Sequence, residues 1–314
     1  MTSKQTITTA RVARAVIVAA IFAPVVAAHA QLREPALFVA PAATLAAAPS
    51  AMPTVTAAVV APAQRTATPS ALSHTSAPTP APVACSAPAQ FTHLDRPLIR
   101  TARRLASGQP LTIVAIGSSS TAGAGASSPD ASYPNQLAVA LKQRFPGEDI
   151  TVVNRGVNGE ETTDMMARFA SQVIPEHPQL VIWQVGTNSV LRDRPLGPHE
   201  TQLHDGVEQL KATGADVVLM DLQYSPKVLA KSETDGMIQQ IAAIAKEQNV
   251  DLFQRFAMMR NWFEVQHLGF DTFVSPDGLH MNDWGYACVA KLLAGGIAEA
   301  ATRPVASAAA HAAH

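Results

Sequence analysis

Between residues 111 and 301, short apolar runs alternate with stretches whose apolar positions recur every three or four residues. The runs Leu111–Ile116, Ile150–Asn154, Leu180–Val185, Asp216–Asp221 and Val250–Phe253 predict five strands. They are nearly continuous in apolar character, as expected of strands covered on both faces. Helical patterns over Ser132–Phe145, Thr162–Ile174, Leu196–Thr213 and Lys231–Gln248 lie between them, and Asp283–Ala301 closes the chain. Local punctuation agrees. Ser132 caps a helix with Pro134 in its first turn, Pro175 and Gly214 end two others, and Asn282 or Asp283 caps the last. Strand–helix alternation predicts an α/β fold with a parallel sheet of about five strands and right-handed crossovers. In such sheets, binding and catalytic groups gather beyond the carboxyl ends of the strands. Four polar loops fall there: 117–121, 154–160, 186–189 and 223–227.

The chain outside this region has a different composition. Residues 1–30 read as a secretory signal. Lys4, Arg11 and Arg14 precede an apolar stretch from Ala15 to Ala28, and Ala28-His29-Ala30 fits a cleavage site. The apolar stretch is short for a membrane span and is interrupted by Pro24. Export to the periplasm or beyond is therefore expected, with an uncleaved N-terminal anchor as the lesser alternative. Residues 31–90, rich in Ala and Pro, predict an extended, disordered linker, because recurrent prolines oppose helix and no apolar period offsets the ordering entropy. Residues 302–314 predict a low-complexity tail. One domain remains, residues 91–301, long enough for a single hydrophobic core. A formal net charge of −1 without a basic run argues against nucleic acid as a partner. No apolar span remains after signal removal, and oligomeric state is not readable. Cys85 and Cys288 are the only cysteines. A disulfide between them would pin the domain's entry to its last helix, and a buried thiol at Cys288 with a free one at Cys85 is the alternative. Two cysteines without a histidine cluster do not suggest zinc, and no other metal or cofactor is expected.

The polar loops carry the candidate chemistry. Gly117-Ser118-Ser119-Ser120-Thr121 puts a serine at a strand-to-helix turn, where unpaired N–H groups favour negative charge. The three serines could equally be a plain helix cap. Thr121 occupies the place of the second glycine of a G-x-S-x-G elbow, and Gly123-Ala124-Gly125 lacks the remainder of a phosphate-binding loop. Asp277-Gly278-Leu279-His280 supplies a carboxylate and an imidazole three residues apart, the acid and base that a serine nucleophile needs, although Pro276-Asp277-Gly278 is also an ordinary turn. Asn188 and Gly159 are candidate oxyanion donors, one by its side-chain amide and one by its backbone N–H. His267 is a weaker rival base. Tyr224, Trp284 and Arg260 are candidate substrate contacts, with Gln223 and Lys227 beside Tyr224 in the loop after the fourth strand.

In order and spacing these segments resemble the four blocks of the SGNH (GDSL-type) hydrolase family, from about Leu111 to Leu293. Residues 117–121 look like the first block, 154–160 the second, Gly186-Thr187-Asn188-Ser189 the third and Asp277–His280 the last. Ser118 and Ser189 stand where the family usually carries aspartates. The resemblance implies a flavodoxin-like, three-layer α/β/α fold and metal-independent ester hydrolysis. It implies Ser119 as nucleophile, His280 as base and Asp277 as its acid partner. Ser119 N–H, Gly159 N–H and Asn188 would form the oxyanion hole. The family spans lipases, lysophospholipases, thioesterases and carbohydrate esterases. Export and the lack of an apolar lid favour short acyl esters, such as O-acetyl groups on a polysaccharide. The alternatives are an O-acyltransferase to sugar hydroxyls, a lipase or lysophospholipase, and a catalytically silent binding domain on a flexible stalk.

Overall fold

The computed structural model describes residues 83–304. The expected signal, most of the expected linker and the tail beyond 304 lie outside the described residues. The sheet is built on β1 (Leu111–Gly117), whose side chains are buried at six of seven positions. β2 (Ile150–Gly156) pairs with it on one side, β3 (Leu180–Gln184) on the other, and β4 (Asp216–Met220) and β5 (Asp251–Phe253) follow outward. All pairings are parallel, in the order β2-β1-β3-β4-β5. β3 lies between β1 and β4 and is buried throughout, so its sequence is apolar up to its last residue, Gln184. β2 is one of the two edge strands, and only its first residue is fully buried.

Chain direction across the sheet reverses at β1, and with right-handed crossovers this sends helices to both faces. One face holds α1 (Ile99–Ser107), α3 (Tyr133–Arg144) and the closing helix α9 (Asp283–Thr302). The other holds α4 (Thr162–Ala167), α6 (Leu196–Ala212) and α7 (Thr234–Glu247). The reversal is the topological switch point at which open α/β sheets bind ligands. The short helices α2 (Ser119–Ala122) and α5 (Thr187–Leu191) begin just past β1 and β3, on either side of it.

Several expectations need adjustment. The helix expected over Thr162–Ile174 keeps α-geometry only to Ala167. A wider turn, Phe169–Val173, then buries both Phe169 and Val173, with Phe169 edge-on to Trp183 at 5.2 Å. The strands at 150 and 180 end at Gly156 and Gln184 rather than Asn154 and Val185. Two longer helices were not expected: α1, and α8 (Arg255–Glu264), which buries Arg255, Phe256, Met258, Met259 and Trp262. Packed chain also begins before the expected linker boundary at residue 90. Cys85 is bonded to Cys288 with Cα atoms 5.4 Å apart. Ser86 O accepts hydrogen bonds from Trp262 Nε1 at 2.8 Å and Gln266 Nε2 at 3.1 Å. A helical turn at Ala89–Thr92 follows. No helix among the described residues is long and apolar enough to cross a membrane.

Candidate active site

The turn after β1 is held from below by Gln184, the last residue of β3. Its Oε1 accepts from Ser118 N at 2.9 Å, Ser118 Oγ at 3.0 Å and Thr121 Oγ1 at 3.3 Å. A buried polar side chain must find partners, and these partners fix how the chain leaves the strand. Ser118 takes an extended conformation as the cap of α2, and Ser119 is the first helical residue. Its N–H therefore has no intrahelical acceptor. Ser118, at the place of the family's usual aspartate, performs local support through a hydroxyl.

The second loop docks against this turn. Asn154 Nδ2 donates to Thr121 O at 3.0 Å, and Val157 N to Gly117 O at 3.0 Å. Gly156 lies so close to the turn that a Cβ there would sit 2.1 Å from Ala122 N. Gly159 adopts φ +80°, a conformation that L side chains rarely take, and its N–H has no acceptor among the described residues. Asn188, in α5, donates from Nδ2 to Glu160 O at 2.8 Å. An amide carries two N–H donors, so one is committed to the Gly159 loop and one is left. Ser189, in the second position of a usual aspartate, is buried and lies 3.5 Å from Glu161 Oε2 through its hydroxyl.

His280 Nε2 is 2.8 Å from Ser119 Oγ, and His280 Nδ1 is 2.5 Å from Asp277 Oδ2. A carboxylate only accepts, so Nδ1 carries the proton and the neutral ring's Nε2 accepts from the serine hydroxyl. The other Asp277 oxygen accepts from Ser275 Oγ at 2.7 Å, Leu279 N at 2.8 Å and His280 N at 2.9 Å. Partial burial pushes this carboxyl up. The hydrogen bonds from His280, Leu279 and Ser275 outweigh it and hold the group well below the usual carboxylate range. The loop is closed by Ser275 N to His280 O at 2.8 Å and by the antiparallel bridge Val274–Met281.

Beneath the site lies a buried network invisible to motif reading. Arg255, fully buried at the start of α8, donates to Ser120 Oγ at 3.0 Å, Asp221 O at 2.6 Å and Gln223 Oε1 at 3.0 Å. No carboxylate lies within ion-pair distance of it among the described residues. Gln223 is buried and also accepts from Thr187 Oγ1 at 3.1 Å, so it ties α8 to the third loop rather than lining a pocket. The signal for Gln184 was present in the sequence, as a polar residue ending a wholly buried strand. Arg255 gave no comparable signal.

The expected substrate contacts each have protein partners of their own. The Tyr224 ring is enclosed by Phe256, Phe263 and Phe270, and its hydroxyl lies 3.1 Å from Glu264 Oε1. Arg260 is half-exposed and faces Glu264 along its own helix. Trp284 packs edge-on to Trp262 at 5.1 Å and donates to Val83 O at 3.2 Å, so it covers the N-terminal segment. Its other neighbours in a shallow depression are Gly125, Ala126, Ser127, Asn282 and Asp283. Lys227 is exposed and meets the acid–base loop only through its backbone N–H, 3.0 Å from Gly278 O. The rival base His267 forms no hydrogen bond with Ser119 or Asp277 among the described residues.

Comparison with known proteins places this geometry in a group. An arylesterase of Vibrio mimicus is 31% identical over 126 residues, covering 40% of this chain and 61% of the relative. An acetylxylan esterase of Geobacillus stearothermophilus is 33% identical over 79 residues, covering 25% of this chain and 36% of the relative. The chain thus spans roughly a third to three fifths of the curated relatives it matches. A two-domain esterase active on acetylated mannans shares the fold with a TM-score of 0.57 at 21% identity, over 68% of this chain and 56% of that one. Residues 84–303 match the non-GDSL lipase-like family, and the chain belongs to that family, of the SGNH type its four motif blocks resemble.

Proposed function

We propose that this protein is a serine esterase acting on short-chain carboxylic esters, with Ser119, His280 and Asp277 as its triad. The observation that carries the reading is the unbroken relay from Ser119 Oγ to His280 Nε2 at 2.8 Å and from His280 Nδ1 to Asp277 Oδ2 at 2.5 Å. Ser119 Oγ attacks the ester carbonyl while its proton moves to His280 Nε2. Asp277 stays ionised, holds the ring's tautomer and stabilises the imidazolium. The carbonyl oxygen becomes an oxyanion, received by Ser119 N–H, Gly159 N–H and the free N–H of Asn188. As the tetrahedral intermediate collapses, the C–O bond to the alcohol breaks and His280 returns the proton to the leaving oxygen. Water, deprotonated by His280, then attacks the acyl-enzyme. Collapse of that second intermediate frees the acid and restores Ser119.

Short acyl groups, including O-acetyl groups on carbohydrate, are the proposed substrates. Support comes from relatives named for acetylxylan and acetylated mannans. The basic, apolar and Ala-x-Ala pattern of residues 1–30 supports export to the periplasm or beyond. Turnover of p-nitrophenyl acetate, butyrate and octanoate by wild type and Ser119→Ala tests the reading, with fluorophosphonate labelling of Ser119 alongside. Activity that falls with acyl length and disappears in the variant is expected. Equal turnover of octanoate and acetate would count against the short-acyl preference. A folded wild type with neither turnover nor labelling would overturn the esterase.

A further inference from the structure

We infer that Arg192 is a positioning residue for the oxyanion hole, a role that rests on the esterase reading above. Asn188 and Arg192 are four residues apart, on α5 and at its end, and so lie on one side of the helix. Both reach across to the second loop. Asn188 Nδ2 donates to Glu160 O at 2.8 Å, and Arg192 Nη2 donates to Gly159 O at 2.8 Å. The other Arg192 nitrogen, Nη1, donates to Glu161 Oε1 at 2.8 Å. One planar fork therefore spans the glycine carbonyl and a carboxylate two residues later.

The anchor is itself well fixed. Glu161 caps α4 in a reciprocal arrangement with Asp164 and also receives Arg194 at 3.3 Å. The glycine is not. The backbone bond that closes its turn is long, Glu160 N to Val157 O at 3.5 Å. With φ at +80° and no side chain, Gly159 has little intrinsic resistance to peptide rotation. Its N–H is unpaired in the resting structure, so no bond of its own holds the donor in place. A donor that must meet a developing charge without reorganising needs its orientation set beforehand. The N–H belongs to the peptide before Gly159 and the carbonyl to the peptide after it. Val157 N to Gly117 O at 3.0 Å holds the loop on the first side and Arg192 on the second, so the N–H between them is confined from both ends. Arg192 touches no reacting atom.

The test is steady-state hydrolysis of p-nitrophenyl acetate, a neutral substrate, by wild type, Arg192→Ala and Arg192→Lys, with a melting curve for each. Arg192 is partly exposed, so the variants should melt near the wild type. Arg192→Ala is expected to lose about ten- to a hundred-fold in kcat, less than outright removal of a donor, with KM within about two-fold. Lysine keeps the charge but cannot bridge Gly159 O and Glu161 together, so it should recover only part of the loss. A KM increase at constant kcat would make Arg192 a substrate contact and overturn the proposal. So would full activity of Arg192→Ala. Failure of the esterase reading shows separately, as wild-type turnover that is absent or survives Ser119→Ala.

Discussion

Replacing Gly156 by alanine adds one methyl group at the junction of the second loop and the turn that carries Ser119, the proposed nucleophile. Its Cβ would lie 2.1 Å from Ala122 N, 2.6 Å from Thr121 C and 2.7 Å from Ala122 Cα. All three are backbone atoms, so no side chain can rotate out of the way. Real contacts to Cβ essentially never fall below 3.0 Å, so the turn must retreat by about 1 Å, a displacement that can cost on the order of a hundred-fold in rate. The retreat acts on Ser119, which opens α2, and on its 2.8 Å contact with His280. Overpacking of this kind costs about 1–3 kcal/mol in stability, too little to unfold an ordinary domain. The expected outcome is a folded protein, melting several degrees lower, with kcat for p-nitrophenyl acetate reduced about a hundred-fold. Circular dichroism melting and initial rates on one preparation give both numbers. Wild-type rate with an unchanged melt would refute the idea that this backbone contact seats the nucleophile.

Asn188→Ala removes a proposed oxyanion donor together with a bond to Glu160 O. Its kcat should fall by about 10²–10³-fold with a smaller change in KM, checked on the same substrate. Asp221 is fully buried, and burial pushes its carboxyl up to about 7 against the opposing pull of Phe256 N–H and Arg255. A raised folded pKa means that the group's favourable contribution is complete below its unfolded value near 4 and is lost as pH rises to about 7. Asp221→Asn, which does not titrate, should therefore gain stability relative to wild type across that interval. Urea midpoints at the two ends of the interval measure it, and a constant difference would refute it. Reduction of Cys85–Cys288, which spans 203 residues, should lower stability by up to about 5 kcal/mol in the chain-entropy account. Urea unfolding with and without a phosphine reductant reads the loss.

The strands were legible because β1, β3 and β4 are buried on both faces and so must be apolar whatever their neighbours. The segments of the proposed triad were legible because Ser119 sits at a strand end and Asp277 lies only three residues from His280, so local chain geometry nearly decides the contact of the last two. What escaped were residues whose role depends on a partner distant in sequence. Arg192 meets Gly159, and Arg255 meets Ser120 across 135 residues. Nothing near either residue announces the contact. Tyr224, Trp284 and Arg260 show the opposite difficulty. Their position after a strand or beside the acid–base loop was read correctly, but position does not give side-chain direction, and the aromatic cluster around Tyr224 draws that ring inward. The break in the helix after Ala167 escaped for a similar reason, since Phe169 and Val173 follow the core rather than the helical period.

The bond between Cys85 and Cys288 also decides how the domain would respond to a mechanical pull. Tension applied along the chain ahead of Cys85 passes through sulfur directly into the second turn of α9 and bypasses residues 86–287. Ser86, which carries the Trp262 hydrogen bond, would not peel away first, as it would in the reduced protein, whereas the Trp284 bond to Val83 O lies ahead of the bridge and bears the load. The force would arrive eight residues beyond His280. An oxidised domain held by its N-terminal side would thus keep its sheet unloaded and feel strain at the helix that follows His280.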